Sequence, residues 1–147
     1  MYNKILVPLD GSKTAECALE HVETIATGCN VPEVILLFVV ESIPAGLYQS
    51  TAEGKEKMMA WGKESLAKIE KSLMTDGVAA KSIVLEGKPA ETIIDYAAKN
   101  DVDLIIMSTH GRSGPSRWAF GSVAEKVIRT STVPILIAAP KGCRMVC

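Results

Sequence analysis

No G-x-x-x-x-G-K-S/T run occurs in this chain of 147 residues, and no G-x-G-x-x-G follows its first apolar segment. The first absence excludes a P-loop and the second a dinucleotide fingerprint. Charge of one sign is also lacking. The net value is −1, with no Lys/Arg run, so the chain carries no electrostatic footprint for nucleic acid or an acidic membrane surface. The longest apolar run, Val34–Val40, is far too short to span a bilayer. Met1-Tyr2-Asn3-Lys4 leads straight into a short strand ending at Pro8-Leu9-Asp10 and does not read as a signal peptide. These absences predict a cytoplasmic protein with no membrane and no nucleic-acid partner.

Metal-ligand spacing is missing, and so is any nucleophile–base–acid set. Four cysteines are present: Cys17, Cys29, Cys143 and Cys147. Cys17 and Cys29 fall at the two ends of one predicted helix and cannot readily bridge. The other two lie in a short polar tail, so free thiols in a reducing compartment are the expectation. A cysteine in last place is not a prenylation box.

What the chain does contain is an alternation of short apolar runs with amphipathic stretches. Lys4–Leu9 reads as a buried strand stopped by Asp10-Gly11-Ser12. Ala15, Ala18, Leu19, Val22, Ile25 and Ala26 recur at helical spacing, predicting a helix from Thr14 to Thr27 with Gly28 as its stop. Val34–Val40 is a strand covered on both faces. Thr51–Thr75 is a longer helix, ended by Asp76-Gly77, whose first half Gly54 and Gly62 should weaken. Ala79–Leu85 is the third strand. A helix opened by Lys88-Pro89 follows, with Ala90, Ile93, Ile94, Ala97 and Ala98 on its buried face. Asp103–Met107 is the fourth strand, Ser122–Thr130 the last helix and Pro134–Ala138 the fifth strand. Ser122 and Glu125 form a capping-box pattern.

This order predicts one α/β domain over residues 1–147, with a flexible tail over 141–147: an open, twisted, five-stranded parallel sheet with helices on both faces, Rossmann-like. No internal repeat, linker or low-complexity segment interrupts it. Ligands of such sheets bind beyond the C-terminal strand ends, where the strand order reverses. Leu9-Asp10, Val39-Val40 and Met107-Ser108 all fall at such ends.

The most informative stretch is Ser108-Thr109-His110-Gly111-Arg112-Ser113-Gly114, followed by Gly121-Ser122 and an apolar helix. A strand, a glycine-bearing loop and a serine at a helix start can hold phosphate, because freed backbone N–H groups and the helix dipole both favour an anion. Gly111 and Gly114 admit close approach, though an ordinary turn would also use them. Asp10 can cap its own turn, or bind ribose hydroxyls or a phosphate-bound Mg²⁺ through water. Arg112 and Arg117 can fork onto phosphate or stay solvated. His110 can titrate, but no second group is evident to orient it. Trp118 and Phe120 read as packing residues.

These segments together resemble the universal stress protein family. Its pattern is a glycine, two residues, a second glycine, nine residues, and Gly followed by Ser or Thr. Gly111 stands at the second glycine, Arg112 to Phe120 are the nine, and Gly121-Ser122 closes it. Ser108 holds the first glycine position, a departure that should weaken or re-aim binding. The likeness also covers Ile5 to Ser12, Glu86 to Ile93 and Val133 to Ile137. It implies an adenine nucleotide alpha hydrolase-like fold binding ATP, ADP or AMP, with Mg²⁺ admitted. The backbone at Val39 would meet the adenine edge, and Asp10 would lie beside the ligand. The site would comprise Pro8, Leu9, Asp10, Val39, Met107, Ser108, His110, Gly111, Arg112, Gly114, Gly121, Ser122 and Val123. The resemblance further implies a homodimer paired through the edge strand Val133–Ala139.

The leading expectation is therefore a nucleotide-binding regulatory module of the stress response, not an enzyme beyond weak ATP hydrolysis. A slow ATPase or phosphotransferase would draw on Asp10 and Arg112, but no residue is evident to activate water. A nucleotide-free dimeric interaction protein is the other alternative. A phosphoacceptor receiver is disfavoured, since it wants paired acids, an Asp and a Lys where this chain has Leu9-Asp10, Glu86 and Pro140-Lys141.

Overall fold

Alternate residues of each central strand are buried in opposite directions, which explains why these strands are apolar throughout. The computed structural model describes residues 1–42, 52–109 and 121–139. The strands are β1 (Lys4–Leu9), β2 (Glu33–Glu41), β3 (Ala80–Gly87), β4 (Leu104–Ser108) and β5 (Ile135–Ala138). They form one sheet in the order β3-β2-β1-β4-β5, and every pairing is parallel. The helices are α1 (Lys13–Glu16), α2 (Leu19–Gly28), α3 (Ala52–Thr75), α4 (Pro89–Lys99) and α5 (Ser122–Thr130).

Ile5, Val7 and Leu9 join Val34, Leu36 and Phe38 on one face, under Val22 of α2 and Leu66 and Leu73 of α3. Leu6, Ile35, Leu37, Ile105 and Met107 point the other way, onto Ile93 and Ala97 of α4 and Val127 of α5. The predicted architecture holds, with helices on both faces. The chain runs outward from β1 to β3, then crosses to β4 on the far side of β1. A crevice opens where the order reverses, between the C-terminal ends of β1 and β4.

Several local expectations are corrected. The single helix predicted over Thr14–Thr27 is two, because at Ala18 the N–H bonds back three residues to the Ala15 carbonyl at 3.3 Å, tightening the ladder. Gly28 is the last helical residue, and the left-handed turn that follows falls on Asn30 (φ 49°), a residue tolerated there. Helix α3 runs unbroken through Gly54 and Gly62. Gly62 is buried there, and a Cβ at that position would come within 2.5 Å of Phe38 Cδ1. Cys29 is a free, exposed thiol, whereas Cys17 is disulfide-bonded, against the expectation of free thiols, its partner lying outside the described residues.

Side-chain carboxylates brace the sheet at its centre and at one edge. Asp103, just before β4, accepts the N–H groups of Asn3 and Lys4 at 2.7 and 2.9 Å, pinning the start of β1. On the β3 edge, the Glu70 carboxylate of α3 accepts the Ser82 main-chain N–H at 3.0 Å and also its hydroxyl. That occupies a donor an exposed edge would otherwise present to another strand.

Candidate functional site

Three strand ends converge on the crevice. After β1, the Asp10 carboxylate accepts the Ser12 N–H at 2.9 Å, and the Ser12 hydroxyl accepts the Ala15 N–H at 3.1 Å, so the two side chains fold the turn that starts α1. Gly11 between them has φ +81°, and the Trp61 indole of α3 lies directly against it. Trp61 also meets Phe38 edge to face, with centroids 5.6 Å apart. One aromatic side chain thus ties the β1 turn, β2 and α3 together.

At the end of β4, Ser108 and the following Thr109 are the two buried polar residues among those described. The Thr109 N–H donates to the Ala138 carbonyl at 3.3 Å, and its own carbonyl accepts the Gly121 N–H at 2.6 Å. Gly121 is the N-cap residue of α5, with no side-chain cap. The capping box predicted at Ser122 and Glu125 does not form. The Gly121 carbonyl already accepts the Glu125 N–H at 2.9 Å, so the helix starts one residue early and Ser122 is its first residue. Glu125 instead pairs with Arg129 at 2.8 Å. Helix α5 is tied to α4 by the Lys126–Glu91 ion pair, which holds the Glu91 carboxyl below its ordinary range.

These ends enclose a cavity of about 510 Å³. Of the residues predicted for the site, Pro8, Leu9, Asp10, Val39, Met107, Ser108, Gly121, Ser122 and Val123 all line it. His110, Gly111, Arg112 and Gly114 lie outside the described residues. The cavity is polar toward β4 and α5, where Ser108, Thr109 and the opening turn of α5 gather. It is apolar over β2, among Val39, Val40, Met58 and Ile93. Sequence reasoning missed Glu41, Lys55, Met58, Pro89, Ile93 and Thr109. Ile93 belongs to the buried face of α4 and so reads as core, and Met58 stands at helical spacing from Trp61 and so reads as one more packing residue of α3. Lys55 reads as one more surface lysine, yet it pairs with Glu86 at 2.6 Å beside the cavity. Among the described residues no group of three or more His, Cys, Asp or Glu is disposed to hold a metal ion alone. No helix among them is long and apolar enough to cross a membrane.

An anion at the α5 start and a flat apolar group over β2 would together fill this space. The model of the universal stress protein family matches residues 1–139. Universal stress protein MJ0577 of Methanocaldococcus jannaschii is 37% identical, over 97% of this chain and 98% of that protein. The solved MJ0577 structure superposes with a TM-score of 0.85 at 38% identity, covering 95% of this chain and 96% of that one. UspA of Lactobacillus plantarum gives 0.81 at 26% identity, covering 93% and 97%. Two structures sharing the fold at lower identity are a universal stress protein in complex with cAMP (TM-score 0.68, 21% identical) and one from Archaeoglobus fulgidus in complex with dAMP (0.69, 23%). Each covers over nine-tenths of both chains.

Proposed function

The chain belongs to the universal stress protein family, and from that membership we propose that it binds an adenine nucleotide, ATP or its di- or monophosphate, as a cytoplasmic regulatory module of the stress response. One observation carries the reading: the helix start at Gly121-Ser122, without a side-chain cap, opens onto the same cavity as Asp10, Ser108 and Thr109. N–H groups at a helix start have no intrahelical acceptor and attract anions. The apolar end over β2 has the character a purine needs. The family members in complex with cAMP and dAMP are consistent with this class of ligand.

Ser108 stands in this reading as a tolerated replacement for glycine, its hydroxyl close to the ribose or first phosphate. Mg²⁺ would be held jointly by the ligand phosphates and Asp10 and would neutralise phosphate charge. Two copies would pair through Val133–Ala139. Support comes from the edge position of β5, where Ile135, Leu136 and Ile137 are only half-buried, and from the Glu70 contact that occupies the opposite edge. His110, Gly111, Arg112 and Gly114, outside the described residues, would complete the phosphate side of the proposed site.

The deciding experiment is calorimetric titration of nucleotide-stripped protein with ATP and Mg²⁺, with ADP and AMP in parallel. Micromolar-range binding by the wild type, weakened at least about tenfold in Ser122→Ala plus Gly121→Val, is the expected result. No heat and no competition from any of the three nucleotides would overturn the reading and leave a dimeric interaction protein. Phosphate release in the same samples reports whether binding leads to turnover.

A further inference from the structure

A charge stands among the residues that line the cavity. Lys55, on the first turn of α3, is the one cation among the described residues that line the cavity. Its ammonium does not hang in solvent: it pairs at 2.6 Å with Glu86, near the C-terminal end of β3. Glu86 is the register partner of Val40, itself a wall residue. The pair therefore joins α3 to β3 beside the end of β2, and the strand order β3-β2-β1-β4-β5 sets it on the side of β1 away from Ser108 at the end of β4.

This inference rests on the nucleotide reading. Phosphates at the α5 start and a base over β2 fix the direction of the ligand. Sugar and phosphates leave a purine at N9, so the opposite edge, carrying C2, N1 and the exocyclic amine at C6, points away from the phosphates and toward Lys55. We propose that Lys55, held in place by Glu86, determines which bases the cavity accepts, closing it just beyond the pyrimidine edge of an unsubstituted purine. A bulky group on the exocyclic amine has to displace the lysine. Both members of the pair are about two-fifths exposed, and an exposed pair is weak, so the barrier discriminates without being absolute.

The test compares AMP with N6-benzyl-AMP on the full-length protein by competition against a fluorescent adenine nucleotide. The wild type should favour AMP by about fivefold or more, roughly what displacing an exposed ion pair and its packing is worth. Lys55→Ala should bring that ratio close to one by opening the end wall. Lys55→Met keeps most of the bulk and should retain most of the preference, while Glu86→Gln should fall between. An unchanged ratio in Lys55→Ala, or a wild type indifferent to the benzyl group, overturns the role of Lys55 and leaves the nucleotide reading standing. A wild type that binds neither AMP nor ATP overturns both.

Discussion

The Gly121 N–H donates to the Thr109 carbonyl at 2.6 Å, so the chain leaves β4 and enters α5 at two residues joined by one hydrogen bond. Gly121 itself sits at φ −52°, ψ 149°, extended backbone that any residue adopts. Its glycine is therefore not required by conformation. Gly121 also lines the cavity. Gly121→Val should accordingly separate folding from binding. Replacing a glycine N-cap with valine costs about 1 kcal/mol at most, a small shift in a urea melt, whereas nucleotide affinity should fall by at least about tenfold. A variant that loses both together would mean that Gly121 serves the fold rather than the ligand.

Gly11 is glycine for two reasons that can be taken apart. Its φ of +81° costs an L-residue about 1–2 kcal/mol. A Cβ would also overlap the Trp61 ring, coming within 2.6 Å of Cζ3. Gly11→Ala should destabilise by more than the conformational cost in the wild type, and by that cost alone in a Trp61→Ala background. A double-mutant cycle read from chemical denaturation should give a coupling of about 1 kcal/mol or more. Near-zero coupling would show that the indole swings aside freely and does not brace the Asp10 turn.

Gly62 inverts a common rule. Gly→Ala inside a helix ordinarily stabilises by about 1 kcal/mol. Here the new methyl would reach to 2.5 Å from Phe38 Cδ1, on a ring that is 1% exposed and hemmed in by both α3 and the sheet. Overpacking of this kind costs about 1–3 kcal/mol, so Gly62→Ala should lower Tm. In a Phe38→Leu background the overlap is relieved and the same change should raise it. The reversal of sign between backgrounds is the measurement to make.

These two glycines mark the limit of what could be read in advance. Strand positions were legible because burial on both faces leaves an unbroken apolar run, as in Val34–Val40. The cavity was legible wherever its residues belong to strand ends or to the Gly121-Ser122 start, since both follow from local pattern. Gly62 read as a weak helix position because its reason, Phe38, lies on a different element. Lys55 and Met58 were invisible as wall residues for the same cause: packing of α3 on β2 and β3 brings them to the cavity, and nothing in their own spacing says so. The α5 cap was misplaced by one residue because Ser122 and Glu125 match the capping pattern whether or not the Gly121 carbonyl begins the ladder first. Asp103 read simply as the start of a strand.

Asp103 couples stability to pH. Hydrogen bonds from the Asn3 and Lys4 main-chain N–H groups, in that order of weight, hold its carboxyl below the ordinary range. A folded-state value below the unfolded one means that the native protein releases this proton more readily. Its contribution to stability is therefore fully present above the unfolded carboxylate value, about 3.9, and fades as pH falls through the folded value. Asp103→Asn keeps the shape and removes the charge, so the two proteins should differ most above about pH 5 and converge in acid. Glu91, lowered by Lys126, acts with the same sign in both proteins and cancels in the comparison. The check is a set of urea midpoints from pH 7 down to about pH 3 for each. Parallel curves across that range would show that the two hydrogen bonds onto Asp103 do not depend on its charge.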